Sequence, residues 1–270
     1  MSTWTGKVVL VTGASRGIGR AAAAAFLARG AAVVLSARGA ERLARTAAEL
    51  AGEGRRLATV VGDVADPADA ERMVATALAR FGRLDVVVCN AGVSMRGQFR
   101  DLSVETCVSV LNSNLLGTIL VSRAAAPHLV AARGSLIFIS SIAGLFGLPG
   151  ASVYCAAKGG LTGLAESLRL ELGEEGLHVG VVHVGFTEHD PEKRILAADG
   201  SGVLPDRPAH QTQAEVGEAI VGAVARRRKR VVLTPVGKLG ALAFRLSPGF
   251  VMAAIGWAKR SRFKAFEDFS

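Results

Sequence analysis

The chain has 270 residues, half of them hydrophobic, with a mean hydropathy of +0.36, which is ample apolar material for one large domain with a buried core. Its three cysteines, Cys89, Cys107 and Cys155, show neither paired spacing nor a histidine cluster, so neither a disulfide framework nor a metal site is indicated. The formal net charge of +9 is confined to one end, because residues 226–270 hold eleven Lys and Arg against Glu267 and Asp268 while the rest of the chain is balanced.

A strand pattern begins directly after Lys7, which leaves no room for a signal peptide, and no uninterrupted charge-free run reaches transmembrane length. A reduced, cytoplasmic setting is expected. In chain order, the apolar run Val8–Val11 predicts a strand and the Ala-rich Gly17–Arg29 a helix. The pattern repeats with Ala32–Leu35 and a helix over Glu41–Leu50. It repeats again with Leu57–Val61 and a helix from Pro67 to Arg80, where the missing N–H of the proline costs nothing at the first helical position. Leu84–Cys89 is a fourth strand, and Val104–Ala132 is a long helical region. Leu136–Ile139 and the helix-period segment Ala156–Leu172 follow, then a strand over Leu177–Val184, a helix over Gln213–Ala225 and a short strand over Val231–Leu233. This alternation predicts an α/β fold, a doubly wound parallel sheet with helices on both faces. One domain is expected over 1–235, with a C-terminal extension over 236–270.

The first turn, Thr12-Gly13-Ala14-Ser15-Arg16-Gly17-Ile18-Gly19, joins strand to helix. Its glycines allow a tight turn and a close backbone approach to a pyrophosphate, and the helix N-terminus adds N–H groups and a favourable dipole. Where the second strand ends, Leu35-Ser36-Ala37-Arg38, the carboxylate that usually binds a ribose 2′-hydroxyl is missing. Arg38 stands there instead, and Arg16 can lie nearby. Two guanidiniums suit a 2′-phosphate, so NADP(H) is expected, with two solvated arginines as the plainer alternative.

From Ser141 to Lys158 a loop with Gly144, Gly147, Pro149 and Gly150 separates a buried strand from a helix. Ser141 falls just past the carboxyl end of that strand, where open α/β sheets hold ligands. Tyr154 and Lys158 are four apart, on one helical face. A phenol with an ordinary pKa of about 10 is a competent acid, and an ammonium one turn away favours its phenolate form. Such a phenol can pass a proton to or from a substrate oxygen that a serine holds. Read alone, the same residues are an ordinary helix with an interfacial tyrosine and a solvated lysine, and Cys155 a small buried filler.

Together with Asp63-Val64 after the third strand, Asn90-Ala91-Gly92 after the fourth and Asn114 in the long helix, these stretches make residues 5–235 resemble the short-chain dehydrogenase/reductases. The resemblance implies a Rossmann fold. It also implies a homodimer or homotetramer and reversible hydride transfer between NADP(H) and a carbonyl or alcohol carbon. Its implied roles go position by position. Gly13, Gly17 and Gly19 shape the pyrophosphate turn, lined by Ser15 and Ile18. Asp63 and Val64 flank the adenine, although Asp63 can equally cap the turn before Pro67. Asn90-Ala91-Gly92 carries the ribose past the sheet edge, or is an ordinary turn. Tyr154 is the proton donor, Ser141 orients the oxygen, and Lys158 tunes Tyr154 and holds the nicotinamide ribose. Asn114 kinks its helix and supports a relay to Lys158. One departure is Val184-Gly185-Phe186-Thr187, where the family has Pro-Gly and a later Thr. Gly185 and Thr187 are still expected at the nicotinamide, with an altered contact, and a substrate loop covers 188–212. His183 and His189 are read as strand and loop residues.

Leu145, Phe146, Leu148 and Phe186 point to a hydrophobic substrate, a ketone, steroid or lipid-like molecule, with a 3-oxoacyl group on acyl carrier protein as the alternative. A non-catalytic NADP-binding regulator and a membrane-associated scaffold are the readings from other classes. The intact set of Asn114, Ser141, Tyr154 and Lys158 argues against the regulator. In the tail, the basic run Arg226–Arg230 precedes two apolar segments, Leu239–Leu246 and Phe250–Trp257, and Lys259, Arg260, Arg262 and Lys264 follow among Phe263, Phe266 and Phe269. Each segment is too short to span a bilayer of about 30 Å. Two readings stand level: the tail lies on an anionic membrane surface, or it packs over the substrate pocket or between subunits. No nucleic acid is expected, because no recognised motif accompanies the charge.

Overall fold

The computed structural model describes residues 4–188, 190, 192–204 and 209–261, the side chains of 53–55 excepted. Strands β1 (Val8–Thr12), β2 (Ala32–Ala37), β3 (Leu57–Val61), β4 (Val86–Cys89), β5 (Ser135–Ser141) and β6 (His178–Val184) share one sheet with β9 (Arg230–Val232). The spatial order is β3-β2-β1-β4-β5-β6-β9, and every neighbouring pair is parallel. Two further strands, β7 (Ile195–Leu196) and β8 (Gly202–Val203), pair antiparallel in the loop after β6. The inner strands β1 and β4 read as apolar runs because helices cover both faces, whereas the edge strand β3 leaves Thr59 and Val61 exposed.

Within β1 the alternation divides the core. Val9 and Val11 face one cluster with Phe26, Leu43, Val216 and Ile220, drawn from α1 (Gly17–Leu27), α2 (Ala40–Leu50) and α7 (Gln213–Ala225). Val8 and Leu10 face the other with Met73, Val121, Leu129 and Leu161, drawn from α3 (Pro67–Phe81), α5 (Gly117–Ala131) and α6 (Ser152–Leu172). Helices α1 and α7 approach closely at a glycine: a Cβ on Gly217 would sit 2.7 Å from the carbonyl oxygen of Ala21.

Three local starts differ from expectation or sharpen it. Helix α3 does begin at Pro67, but its cap is Asp66, whose Oδ1 accepts from Asp69 N at 2.9 Å. The long helical region divides into α4 (Val104–Leu111), a π-helical turn over Asn112–Leu116 and α5. By length and composition Val104–Ala131 could cross a membrane, yet Val121, Ala125 and Leu129 have no exposure and pack in the core. Helix α6 begins at Ser152 rather than Ala156, so Tyr154 lies in its first turn. Beyond β9 the extension forms α8 (Pro235–Leu246) and α9 (Pro248–Arg260), which contact each other.

Candidate active site

The sheet reverses its order between β1 and β4, and the carboxyl ends of these strands meet there, at the kind of crevice where doubly wound sheets bind ligands. The meeting point is fastened by Thr12, whose Oγ1 accepts from the backbone N–H of both Asn90 and Ala91 at 3.0 Å. The Asn90 side chain returns the tie, its Nδ2 donating to the carbonyls of Thr12 at 3.0 Å and Gly13 at 3.2 Å. Gly13 and Gly17 have φ of +64° and +57°, a region that disfavours side chains. A Cβ on Gly13 would stand 2.8 Å from Ala91 Cα, so turn and strand end could not meet as closely.

This turn opens into α1, whose N-cap residue Arg16 makes no side-chain cap, leaving the first N–H groups of the helix available to an anion. A cleft of about 300 Å³ runs from there, lined by Gly13, Ser15, Arg16, Gly17 and Ile18, by Arg38 and Arg42, and by Asp63, Val64 and Asn90–Gly92. Thr46 of α2 braces the turn by donating to Ser15 O at 2.8 Å. At the far end Arg16, Arg38 and Arg42 converge. Burial, then the nearby Arg42 and Arg38 guanidiniums, lower the pKa of Arg16 below the ordinary arginine value. Arg42 Nε is buried with no hydrogen-bond partner among the described residues. Acidic groups temper the cluster: Arg38 lies 3.6 Å from Asp63, Arg42 pairs with Glu192 at 2.5 Å, and Arg16 donates to the Glu192 carbonyl at 2.8 Å. Asp63 also accepts from Ala65 N at 3.0 Å, so it closes its own turn while facing the cleft.

A second cavity of about 150 Å³ shares Gly17, Ile18, Asn90 and Gly92 with the first and holds Asn114, Ser141, Tyr154 and Lys158. Its apolar wall comes from Met95, Ile142, Leu148, Phe186 and Ile195. Lys158 is buried, donates to the carbonyl of Ile139 at 3.0 Å and stands 5.7 Å from the centroid of the Tyr154 ring. Burial pulls its pKa down to about 7, and the charge of Lys193 adds to the shift. The helix is clamped here from β5, since Ser140 Oγ donates to Lys158 O at 3.0 Å and a Cβ on Gly144 would press on the same carbonyl at 2.7 Å.

Asn114 lies in the π-helical turn, as a residue asked to leave the helical ladder does. Its Nδ2 donates to Val93 O at 2.7 Å and Val110 O at 2.9 Å, which fixes the amide. Its Oδ1 is buried and accepts no hydrogen bond among the described residues. A Cβ on Gly92 would collide with that oxygen and come within 3.4 Å of Lys158 Nζ, so one glycine gathers both groups. Ser141 ends β5, and its Oγ accepts from Ala143 N at 3.2 Å, leaving its own O–H to donate into the cavity. Thr187 and Gly185 also line this cavity, but the Thr187 hydroxyl is engaged, donating to Gly185 O at 3.2 Å and accepting from Gln211 Nε2 at 2.9 Å.

A family model described as short chain dehydrogenase matches residues 7–199. The chain belongs to the short-chain dehydrogenase/reductase family. Among relatives of this family, dehydrogenase/reductase SDR family member 7B of Bos taurus is 33% identical over 253 residues, 90% of this chain and 78% of its own. The 11-beta-hydroxysteroid dehydrogenase 1A of Arabidopsis thaliana is 38% identical over 188 residues, 68% of this chain and 53% of its own. A short chain dehydrogenase/reductase SDR from Burkholderia phymatum, solved in complex with NAD, shares the fold with a TM-score of 0.77 over 91% of this chain and 96% of its own, at 24% identity.

The residues picked out in the sequence thus line two adjoining cavities, and the open helix N-terminus and orphaned arginine nitrogen fit a nicotinamide dinucleotide. One residue escaped the sequence reading. Arg42 looks like one charge among several on α2. His183 was set aside as a strand residue, and it is one, but its ring reaches the carbonyl of Ser141. His189 lies outside the described residues.

Proposed function

We propose that the protein is an NADP(H)-dependent oxidoreductase acting between a carbonyl and an alcohol on a hydrophobic small molecule. The observation that carries this reading is the Tyr154–Lys158 pair at the floor of a cavity with an apolar wall. The bound cofactor supplies or accepts the hydride. In the reducing direction Tyr154 gives its proton to the substrate oxygen, and Ser141 donates a hydrogen bond that holds the same oxygen in reach. Lys158, when charged, favours the phenolate that Tyr154 leaves behind. Asn114 keeps a fixed acceptor beside Lys158, on the path by which the pair is reprotonated.

The cofactor choice rests on Arg16, Arg38 and Arg42 gathered in one cleft, with no carboxylate at the end of β2. Substrate class rests on Met95, Ile142, Leu148, Phe186 and Ile195 and on the hydroxysteroid dehydrogenase relative. Carbonyl compounds should be screened by following NADPH and NADH oxidation at equal concentrations, with apolar ketones, steroid ketones and 3-oxoacyl thioesters as the three arms. Turnover of an apolar ketone, at least about tenfold more efficient with NADPH, is the expected result. Equal use of NADH overturns the cofactor assignment. Turnover of 3-oxoacyl thioesters alone overturns the substrate class.

A further inference from the structure

The extension after β9 has two unlike faces. On α8, Gly237 is buried, and a Cβ there would come within 3.0 Å of Ile142 Cγ2 and Val232 Cγ1. One turn on, a Cβ at Gly240 would lie 3.3 Å from the Phe146 ring, and Phe244 meets that ring at 5.8 Å between centroids. On α9, Met252 reaches Gly147. The hairpin is thus docked by its small residues and one phenylalanine on the loop after β5, the loop that brings Leu148 to the cavity wall.

The opposite face of α8 carries Val236, Leu239, Leu242 and Leu246, exposed by 78%, 69%, 54% and 76%. Their spacing of three and four residues places them on one stripe. The stripe is followed on α9 by Phe250 and Trp257, seven residues apart and 71% and 59% exposed. Lys238 and Arg245 flank the stripe on α8, Lys259 and Arg260 end α9, and no acidic residue occurs from Pro235 to Ser261. The Arg226–Arg230 run lies apart from this margin, at the amino edge of the sheet, where Arg227 donates to the carbonyls of Arg133 and Gly176.

We infer that the α8–α9 hairpin is a docking surface for an anionic lipid bilayer. Apolar stripe and basic margin together match an interfacial helix, with aliphatic and aromatic side chains entering the acyl boundary and bases meeting lipid phosphates. The sign of the charge selects this occupant over a second copy of the chain, because two such hairpins face to face would oppose bases with bases. Length rules out spanning. The helices have 12 and 13 residues, so each is about 20 Å long, against a hydrocarbon core of about 30 Å. Docked in this way, α8 stands between the lipid and the Phe146 loop, so the Leu148 wall of the cavity lies about one helix diameter, ~10 Å, from the membrane.

The test is co-sedimentation of the full chain with phosphatidylcholine vesicles containing roughly 30% phosphatidylserine, and with pure phosphatidylcholine, at about 50 and 300 mM salt. The protein should pellet with the anionic vesicles and less so at the higher salt. Trp257 emission should shift to the blue on binding, while the buried Trp4 serves as a constant background. Each removed base should weaken binding about fivefold, so Lys238→Gln with Arg245→Gln should cost roughly 25-fold. Leu239→Gln with Leu246→Gln should abolish binding and leave solution turnover unchanged. A wild-type protein that stays in the supernatant overturns the inference. So does binding that ignores both variant pairs. If instead the leucine pair converts a dimer to a monomer by light scattering while vesicles are ignored, the face belongs to a second copy.

Discussion

His183 Nδ1 lies 3.1 Å from the carbonyl oxygen of Ser141, so a buried imidazole on β6 fastens the carboxyl end of β5. The register makes this possible, because Ser140 stands opposite His183 and Ser141 opposite Val184. Nδ1 must carry the proton it donates, which leaves Nε2 bare, and Nε2 is buried with no partner among the described residues. Burial holds the ring neutral and pulls its pKa from 6.5 to about 4.

This has a sign that can be worked out. Below pH 6.5 the unfolded chain takes a proton on His183 that the folded protein refuses until about pH 4. Stability is therefore complete above 6.5 and is lost as the pH falls from 6.5 to 4, by up to about 3 kcal/mol. His183→Leu should flatten this part of the melting profile relative to wild type. It should also lower kcat several-fold at neutral pH by releasing Ser141. A variant with an unchanged acid slope would refute the assignment.

Lys158 has the same sign in a higher window. The folded protein gives up its proton near pH 7, the unfolded chain at 10.5, so between these values the unfolded state binds the extra proton and stability rises with pH. Below pH 7 the cost of the buried ammonium is fully in force. Lys158→Met should stabilise the free protein there by at least about 1 kcal/mol, or about 2–4 °C, while abolishing turnover. Calorimetry at pH 6 and pH 9 should show the gain shrinking at the higher value, and a gain equal at both would rule this out.

Tyr154→Phe removes the proposed proton donor and leaves the cleft whole. Turnover should fall by about 10²–10⁴ with NADPH affinity intact. Near-normal turnover on a good substrate would mean that another group delivers the proton.

Glu192 occupies Arg42 in the free protein, so it competes with any phosphate that the arginines would take. Glu192→Gln should tighten NADPH binding several-fold and leave NADH unchanged. Arg38→Ala and Arg42→Ala should each weaken NADPH roughly tenfold or more, again without effect on NADH. Titration of both cofactors by fluorescence separates these outcomes, and parallel changes in NADH affinity would place the arginines outside the 2′-phosphate site.

What the sequence revealed and what it hid divide along a physical line. Unbroken apolar runs such as Val8–Val11 and Leu136–Ile139 announce strands covered on both faces, and the turn from Thr12 to Gly19 announces its own conformation through glycines that the backbone needs at positive φ. Tyr154 and Lys158 declare a shared face by spacing alone. The start of α6 at Ser152 was less visible, because Gly150-Ala151-Ser152 carries little helical signal and the helix is clamped further on, at Lys158, by Gly144 and Ser140 from another element. The short pair β7 and β8 was also hidden. Its partner is the chain at Ser94 and Met95, where Leu196 N donates to Ser94 O at 2.9 Å, and no local pattern encodes that. Arg42 went unnoticed, and the tie from His183 unseen, for the same reason, since they depend on Glu192 and Ser141, far away in the chain. In the tail, apolar composition was legible, but which face is docked and which is bare depends on Phe146.

The close fit of α7 on α1 also bears on how this protein is made. Ala22 and Phe26 reach zero exposure only when Val216 and Ile220 arrive to complete the cluster they share. A ribosome adding about 5–20 residues per second needs roughly 10–40 s to pass from the end of α1 to the end of α7. Through that interval the newly made β1–α1–β2 unit holds an apolar helix face with no lasting partner. The glycine turn therefore cannot become a finished binding site early, and a nascent chain stalled before α7 is a substrate for chaperones and proteases rather than a half-size dinucleotide binder.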